Sequence, residues 1–212
     1  MQATQLYDNL HKQLIQNHLL LSEPVITKLT DYLLLLEKWN QVYNLTSIRD
    51  PSQMIPKHIL DSLAISPYLQ GTRILDVGTG AGLPGIPLAL THPNCHFTLL
   101  DSNGKKTRFL THVIQKLAIS NIDIIQNRVE QFHVDICFDS IITRAFTSLT
   151  DFLQKTHHLA CQKGIFLSMK GQYPMQEINK LDSTFSVTSV NPIHINGLNE
   201  KRHVIVIKLN AI

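Results

Sequence analysis

Four glycines within eight positions, Gly78, Gly80, Gly82 and Gly85, follow an acid, Asp76, in the stretch RILDVGTGAGLPGIP (73–87). Glycine reaches backbone angles closed to other residues and lets the main chain approach a ligand with no Cβ in the way. Pro84 and Pro87 suit the first turn of a helix, where a missing N–H costs little. A buried strand over 73–77, a bare turn and a helix start together make a cradle for a polar ligand. A connection with no ligand would carry the entropic penalty of those glycines without return.

Two spacings overlap there. Gly80-Ala-Gly82-Leu-Pro-Gly85 satisfies G-x-G-x-x-G, a dinucleotide fingerprint. Asp76-Val-Gly78-Thr-Gly80-Ala-Gly82 satisfies D-x-G-x-G-x-G, which resembles motif I of the Rossmann-like S-adenosylmethionine (SAM) methyltransferases. Asp76 discriminates between them. A fixed anion at the turn would repel a pyrophosphate. The methionine end of SAM carries an ammonium and a sulfonium, which an acid helps to hold. SAM is therefore the expected cofactor, with an NAD-dependent oxidoreductase as the competing reading.

The chain around this cradle has 212 residues, enough for one α/β domain with an extension. A net charge of +3 and 43% apolar residues describe a mildly basic chain with an ordinary core, compatible with RNA as a partner. Cys95, Cys137 and Cys161 form no close pair and no C-x-x-C, so a reducing cytoplasm is expected. The opening MQATQLYDNLHKQ lacks a basic stretch followed by an apolar core, so no signal peptide is expected. The run Leu33 to Leu36 is far too short to span a membrane.

Helical spacing predicts helices over 3–21, 24–40 and 51–66, the last with Asp50 as N-cap and Pro51 at its first position. These make an N-terminal helical extension, 1–70, packed on a core domain, 71–212. From 72 onward, short apolar runs alternate with helices. Strands are expected at 73–77, 96–100, 122–126, 138–143 and 164–169, with helices over 84–91, 103–118 and 149–160. Two last runs, 185–195 and 203–209, suit an antiparallel pair at a sheet edge. The expected fold is α/β, a mostly parallel doubly wound sheet with ligands at the carboxyl ends of its strands.

Other candidates follow from that order. Asp101 closes the second strand, 25 positions after Asp76, where a carboxylate can accept from ribose hydroxyls or cap the next helix. Val129 and Glu130 follow the third strand, near where this fold holds an adenine; an ordinary helix cap is the alternative. Arg144 follows the fourth strand and suits a carboxylate or phosphate, or simply the surface. Where amino-group methyltransferases carry Asn/Asp-Pro-Pro-Tyr/Phe, this chain has Thr143-Arg-Ala-Phe146, which argues against a base amine as acceptor. His92 and His96 span a turn, and His157 and His158 diverge, so no metal is expected. His58 and Asp61, i and i+3 on one helical face, are placed to contact each other. Lys105, Lys106, Arg108 and Lys116 form a basic helical face, solvated or following phosphates.

The stretches WNQVYNLT (39–46), HILDSL (58–63), DVGTGAGLPGIPLAL (76–90), LLDSNGKKTRFL (99–110), NRVEQF (127–132), ITRAF (142–146), MKG (169–171) and EKRHVIVIK (200–208) occur in one order. Together they resemble the bacterial 16S ribosomal RNA guanine-N7 methyltransferase family, also called glucose-inhibited division protein B. The resemblance implies SAM held at Gly78, Leu83, Val129, Glu130 and Arg144, with Asp76, Gly80, Gly82 and Asp101 completing the cofactor site. It points to Asn44, His58, Asp61, Ser62 and Lys170 on the substrate side. It implies 16S ribosomal RNA within the small subunit as partner, no membrane and a cytoplasmic monomer. Guanine N7 is a lone-pair nucleophile with no proton to lose, so positioning is expected to outweigh any general base. A small molecule or a different RNA as acceptor is the alternative.

Overall fold

The computed structural model describes residues 3–144, 146 and 148–210. Ala145, within the ITRAF stretch, lies outside them. Seven strands form one sheet in the order β3-β2-β1-β4-β5-β7-β6. They are β1 (Arg73–Val77), β2 (His96–Asp101), β3 (Ile122–Gln126), β4 (Phe138–Thr143), β5 (Ala160–Lys170), β6 (Phe185–Ile193) and β7 (Arg202–Leu209). The first five are parallel, and β7 runs antiparallel between β5 and β6. The order reverses between β1 and β4, the position where such sheets bind ligands. This is the class I SAM-methyltransferase architecture.

The period-2 alternation of each strand divides the core. Ile74, Phe97, Leu99, Ile142, Ile165 and Leu167 face one layer. Leu75, Val77, Leu100, Ile141, Phe166 and Ile205 face the other. The first layer contains α5 (Gly85–Thr91) and α6 (Gly104–Lys116), and onto it pack α1 (Ala3–Gln16) and α2 (Glu23–Tyr43). Leu6, Leu10 and Leu14 of α1, with Leu29, Leu33 and Leu36 of α2, are fully buried there, as their helical spacing requires. The second layer holds α7 (Leu149–Thr156), through Phe152 and Leu153.

Several expectations shift. The helix expected over 3–21 ends at Gln16, where His18 turns left-handed. The helix expected over 51–66 is composite: α3 (Pro51–Met54), a π turn at Ile55–Leu60 and α4 (Asp61–Leu63). Asp50 does cap it, accepting from Ser52 N at 2.9 Å. A short α8 (Met175–Ile178) adds to the expected helices. Cys137 and Cys161 are joined by a disulfide, which corrects the reading of unpaired cysteines and removes its support for a reducing compartment. They lie far apart in sequence, but the pairing of Phe138 with Ala160 sets them side by side at the amino ends of β4 and β5. Their pairing depends on strand register, which spacing alone does not reveal.

Candidate active site

Past Val77 the chain turns through Gly78, Gly80 and Gly82, whose φ angles are 69, 63 and 90°. A side chain at Gly82 would collide with Ile86 and Leu110, and one at Gly85 with Leu99 and Asp76. These two glycines serve packing. At Gly80 an added Cβ would meet nothing closer than 3.9 Å, one neighbour being Lys106 Nζ. Gly80 is bare toward a cavity.

Asp76 lies fully buried beneath this turn. Its Oδ2 accepts from Thr79 Oγ1 at 2.7 Å and from Gly85 N at 2.9 Å. Burial pushes its carboxyl up to about 6. It borders none of the described cavities; donors of the turn engage Oδ2, so the carboxylate braces the turn from below, while Oδ1 is buried with no hydrogen-bond partner among the described residues. From the other side Tyr32 of α2 donates its hydroxyl to Ala81 O at 2.8 Å. Burial keeps that phenol well above its ordinary pKa, so it stays a donor. Sequence reasoning missed Tyr32, because its helical spacing marks only a core position.

Asp101 ends β2. Its Oδ2 accepts from Gly80 N and its Oδ1 from Asn103 N, both at 2.9 Å. Asn103, accepting from Lys105 N, is the cap of α6, so Asp101 is not. A carboxylate offers about four acceptor positions. Two backbone bonds leave capacity for ligand hydroxyls. Asp101 borders a cavity of about 170 Å³ together with Gly78 and Val129. Val129 adds a buried apolar wall, while Glu130 turns to Lys155 at 3.1 Å. A backbone N–H and Lys155 hold the Glu130 carboxyl below its usual range.

A second cavity, about 180 Å³, is bordered by Gly78, Gly80, Leu83, Lys106 and Arg144. A third, about 410 Å³, is bordered by Arg144, His58, Asp61, Lys170 and Arg202. Gly78 belongs to the first two and Arg144 to the last two, so the three adjoin along the carboxyl ends of β1, β2, β4 and β5. The lining fits SAM: an acid and an apolar wall for a nucleoside at one end, a bare glycine turn, and two cations beyond it.

Arg144 donates from Nη1 to Lys57 O at 3.1 Å and to Asp61 Oδ2 at 3.2 Å. The other oxygen of Asp61 accepts from Arg202 Nε at 3.1 Å. Arg202 continues to Glu200 at 2.6 Å, and Glu200 to Lys57 at 3.0 Å. Asp61 is 3% exposed, a buried carboxylate balanced by two guanidinium groups. Sequence reasoning missed Lys57, Glu200 and Arg202 too, since charges leading into an apolar strand look like ordinary surface.

His58 and Asp61 do not pair as expected. Pro56 has no N–H to give, and the helix widens: Asp61 N reaches Pro56 O, five residues back, as well as His58 O. His58 instead sets Nδ1 against Lys57 O and Nε2 against Thr46 Oγ1, each at 2.9 Å. A carbonyl only accepts, so we assign the proton to Nδ1, and Nε2 accepts from the threonine. Burial first, then the charge of Arg144, brings His58 down to about 4, so the ring is neutral at physiological pH.

Two substrate-side candidates lie away from the cavities. Ser62 is fully buried and donates to His58 O. Asn44 is the left-handed cap of α2, exposed and accepting from Arg49. Neither borders a described cavity. Lys170 does, with Nζ 2.9 Å from Glu177 Oε2. Of the basic helical face, Lys106 enters the second cavity, while Lys105, Arg108 and Lys116 are exposed. His92 and His96 turn to separate partners, Ser66 and Asp123.

Comparison with known proteins gives the family and the fold. Residues 25–205 match the family described as rRNA small subunit methyltransferase G (GidB). The chain is 51% identical over 185 residues to ribosomal RNA small subunit methyltransferase G of Escherichia fergusonii, covering 87% of this chain and 89% of the relative. It is 50% identical over 186 residues to the protein of that name from Salmonella paratyphi B, covering 88% and 90%. Among solved structures, the glycopeptide N-methyltransferase MtfA in complex with SAM superposes with a TM-score of 0.63 at 10% identity, covering 73% of this chain and 88% of that one. N-methyltransferase NodS from Bradyrhizobium japonicum gives 0.58 at 13% identity, covering 82% and 100%. At those identities the likeness shows the fold. The match in sequence sets the dehydrogenase reading aside: this chain belongs to the rRNA small subunit methyltransferase G (GidB) family.

Proposed function

We propose that this chain transfers a methyl group from S-adenosylmethionine to N7 of a guanosine in 16S ribosomal RNA, acting on the small ribosomal subunit as a cytoplasmic monomer. The observation that carries this reading is the row of adjoining cavities in which Arg144 borders both a glycine-turn cavity and a larger one of net positive charge. When bound, SAM supplies an electrophilic methyl on a sulfonium. Asp101 and Val129 hold the nucleoside, Gly78 and Leu83 bound the centre, and Arg144 holds the charged tail. Glu130, its carboxylate turned to Lys155, contributes through its place in the cavity border.

The third cavity takes the target base. Guanine N7 carries a lone pair and no proton, so the site has no proton to remove. His58, neutral and engaged with Thr46, fits a positioning part. Lys57, Arg144, Lys170 and Arg202 outnumber the acids of its lining, Asp61 and Glu200, and the net positive excess suits an RNA backbone. Holding donor and acceptor within near-attack distance supplies most of the rate enhancement.

The test is transfer of labelled methyl from SAM to naked 16S rRNA and to small subunits from cells lacking this protein. Label recovered in 7-methylguanosine from either supports the reading. SAM binding without transfer moves the proposal to another acceptor.

A further inference from the structure

The second cavity has charge of one sign. Lys106 and Arg144 border it, and none of its lining residues is an acid. Asp76, the acid nearest in sequence, is buried below the turn. Arg144 is tied into the wall through Asp61 and the carbonyl of Lys57. Lys106 is differently placed. It rises from the first turn of α6, its side chain is 34% exposed, and Nζ stands 3.5 Å from Asp101 Oδ2. That separation is long beside the roughly 2.8 Å of a strong charge-assisted bond. Nζ also lies 3.9 Å from where a Cβ on Gly80 would stand, over the bare part of the turn.

We propose that Lys106 recognises the amino-acid carboxylate of the cofactor across Gly80, as a second cation beside Arg144. This rests on the cofactor reading above and adds a residue to it. A lysine suits this role, because a compact point charge on a flexible stem can leave a long contact for a closer one. An arriving carboxylate would meet a positive pocket floored by glycine, while the nucleoside hydroxyls engage Asp101 in the adjoining cavity. An RNA phosphate is the other anion that this charge would accept.

Two ligands separate the possibilities. S-adenosylhomocysteine carries the amino-acid tail; 5′-methylthioadenosine keeps the adenosine and thioether but lacks it. By titration calorimetry, Lys106→Ala should weaken S-adenosylhomocysteine about tenfold, about 1.4 kcal/mol, and leave 5′-methylthioadenosine unchanged. Lys106→Arg should retain most of the affinity, and the difference should shrink as salt rises. An unchanged melting temperature would exclude a folding defect. Equal weakening of both ligands would place Lys106 in support of Asp101 and overturn the inference, as would no weakening of either. Intact S-adenosylhomocysteine affinity with weakened binding of small subunits would assign the cation to RNA, also against it. Failure of the unaltered protein to bind S-adenosylhomocysteine would overturn the cofactor reading and this inference together.

Discussion

Arg144, at the end of β4, and Asp61, in α4, meet at 3.2 Å across the boundary between the N-terminal helices and the sheet. The pair does two things: it fixes the guanidinium between two cavities, and it ties the helices to the carboxyl edge of the sheet. Because Asp61 is buried and also bound to Arg202, removing its charge leaves two guanidinium groups under-compensated. Asp61→Asn should cost about 3 kcal/mol in denaturant unfolding and weaken SAM binding. Glu200 is half-exposed, and its ion pairs are screened, so Glu200→Gln should shift stability by only about 0.5 kcal/mol. Equal effects would show that burial does not govern this network.

The glycines of the turn should divide into two groups. Gly82→Ala and Gly85→Ala drive a methyl into Ile86 and Leu99, so both should lower the melting temperature strongly. Gly80→Ala meets open space and carries mainly the cost of its left-handed backbone, about 1 kcal/mol. It should leave the fold intact yet weaken SAM binding. The check is melting temperature and SAM affinity measured on all three variants.

His58 predicts an acid dependence of defined sign. Its pKa is about 4 in the folded chain against an ordinary 6.5, so the unfolded state binds the proton first as pH falls. Its stabilising contribution is present above 6.5 and is lost between pH 6.5 and 4, about 3 kcal/mol in all. Asp76, raised from 3.8 to about 6, acts in the opposite direction over part of that window: its contribution is present below 3.8 and lost as pH rises through 6. Unfolding free energies of His58→Gln should therefore lack the loss that the unaltered protein shows on acidification. Parallel curves would contradict the assignment of a buried neutral ring.

Tyr32 offers a test of how the helices support the turn. Tyr32→Phe removes the hydroxyl from Ala81 O and leaves a buried carbonyl unpaired, which should cost about 1 kcal/mol. SAM affinity should fall as well, since Ala81 borders the same cavity as Gly80. Unchanged affinity in calorimetry would confine Tyr32 to the core.

The features of this fold that depend on local pattern are legible in the sequence. β1, β3 and β4 fall at the expected residues because short apolar runs between turn residues leave few alternatives. The glycine turn and Asp101 are legible for the same reason. What escapes the sequence depends on distant neighbours. The pairing of Cys137 with Cys161 needs the register of β4 on β5. The separation of His58 from Asp61 needs the π turn that Pro56 permits. The burial of Asp76 under its own turn, and the reach of Arg202 from β7 to Asp61, are tertiary facts that no spacing within one segment encodes.

Methylation of ribosomal guanosine at N7 is tested most directly by nucleoside analysis. Small subunits from cells lacking this protein would be incubated with it and labelled SAM, and their RNA digested to nucleosides. Label is expected in 7-methylguanosine, and its loss is expected when Arg144→Ala replaces the unaltered chain. Label in any other nucleoside, or in ribosomal protein, would contradict N7 methylation by this chain.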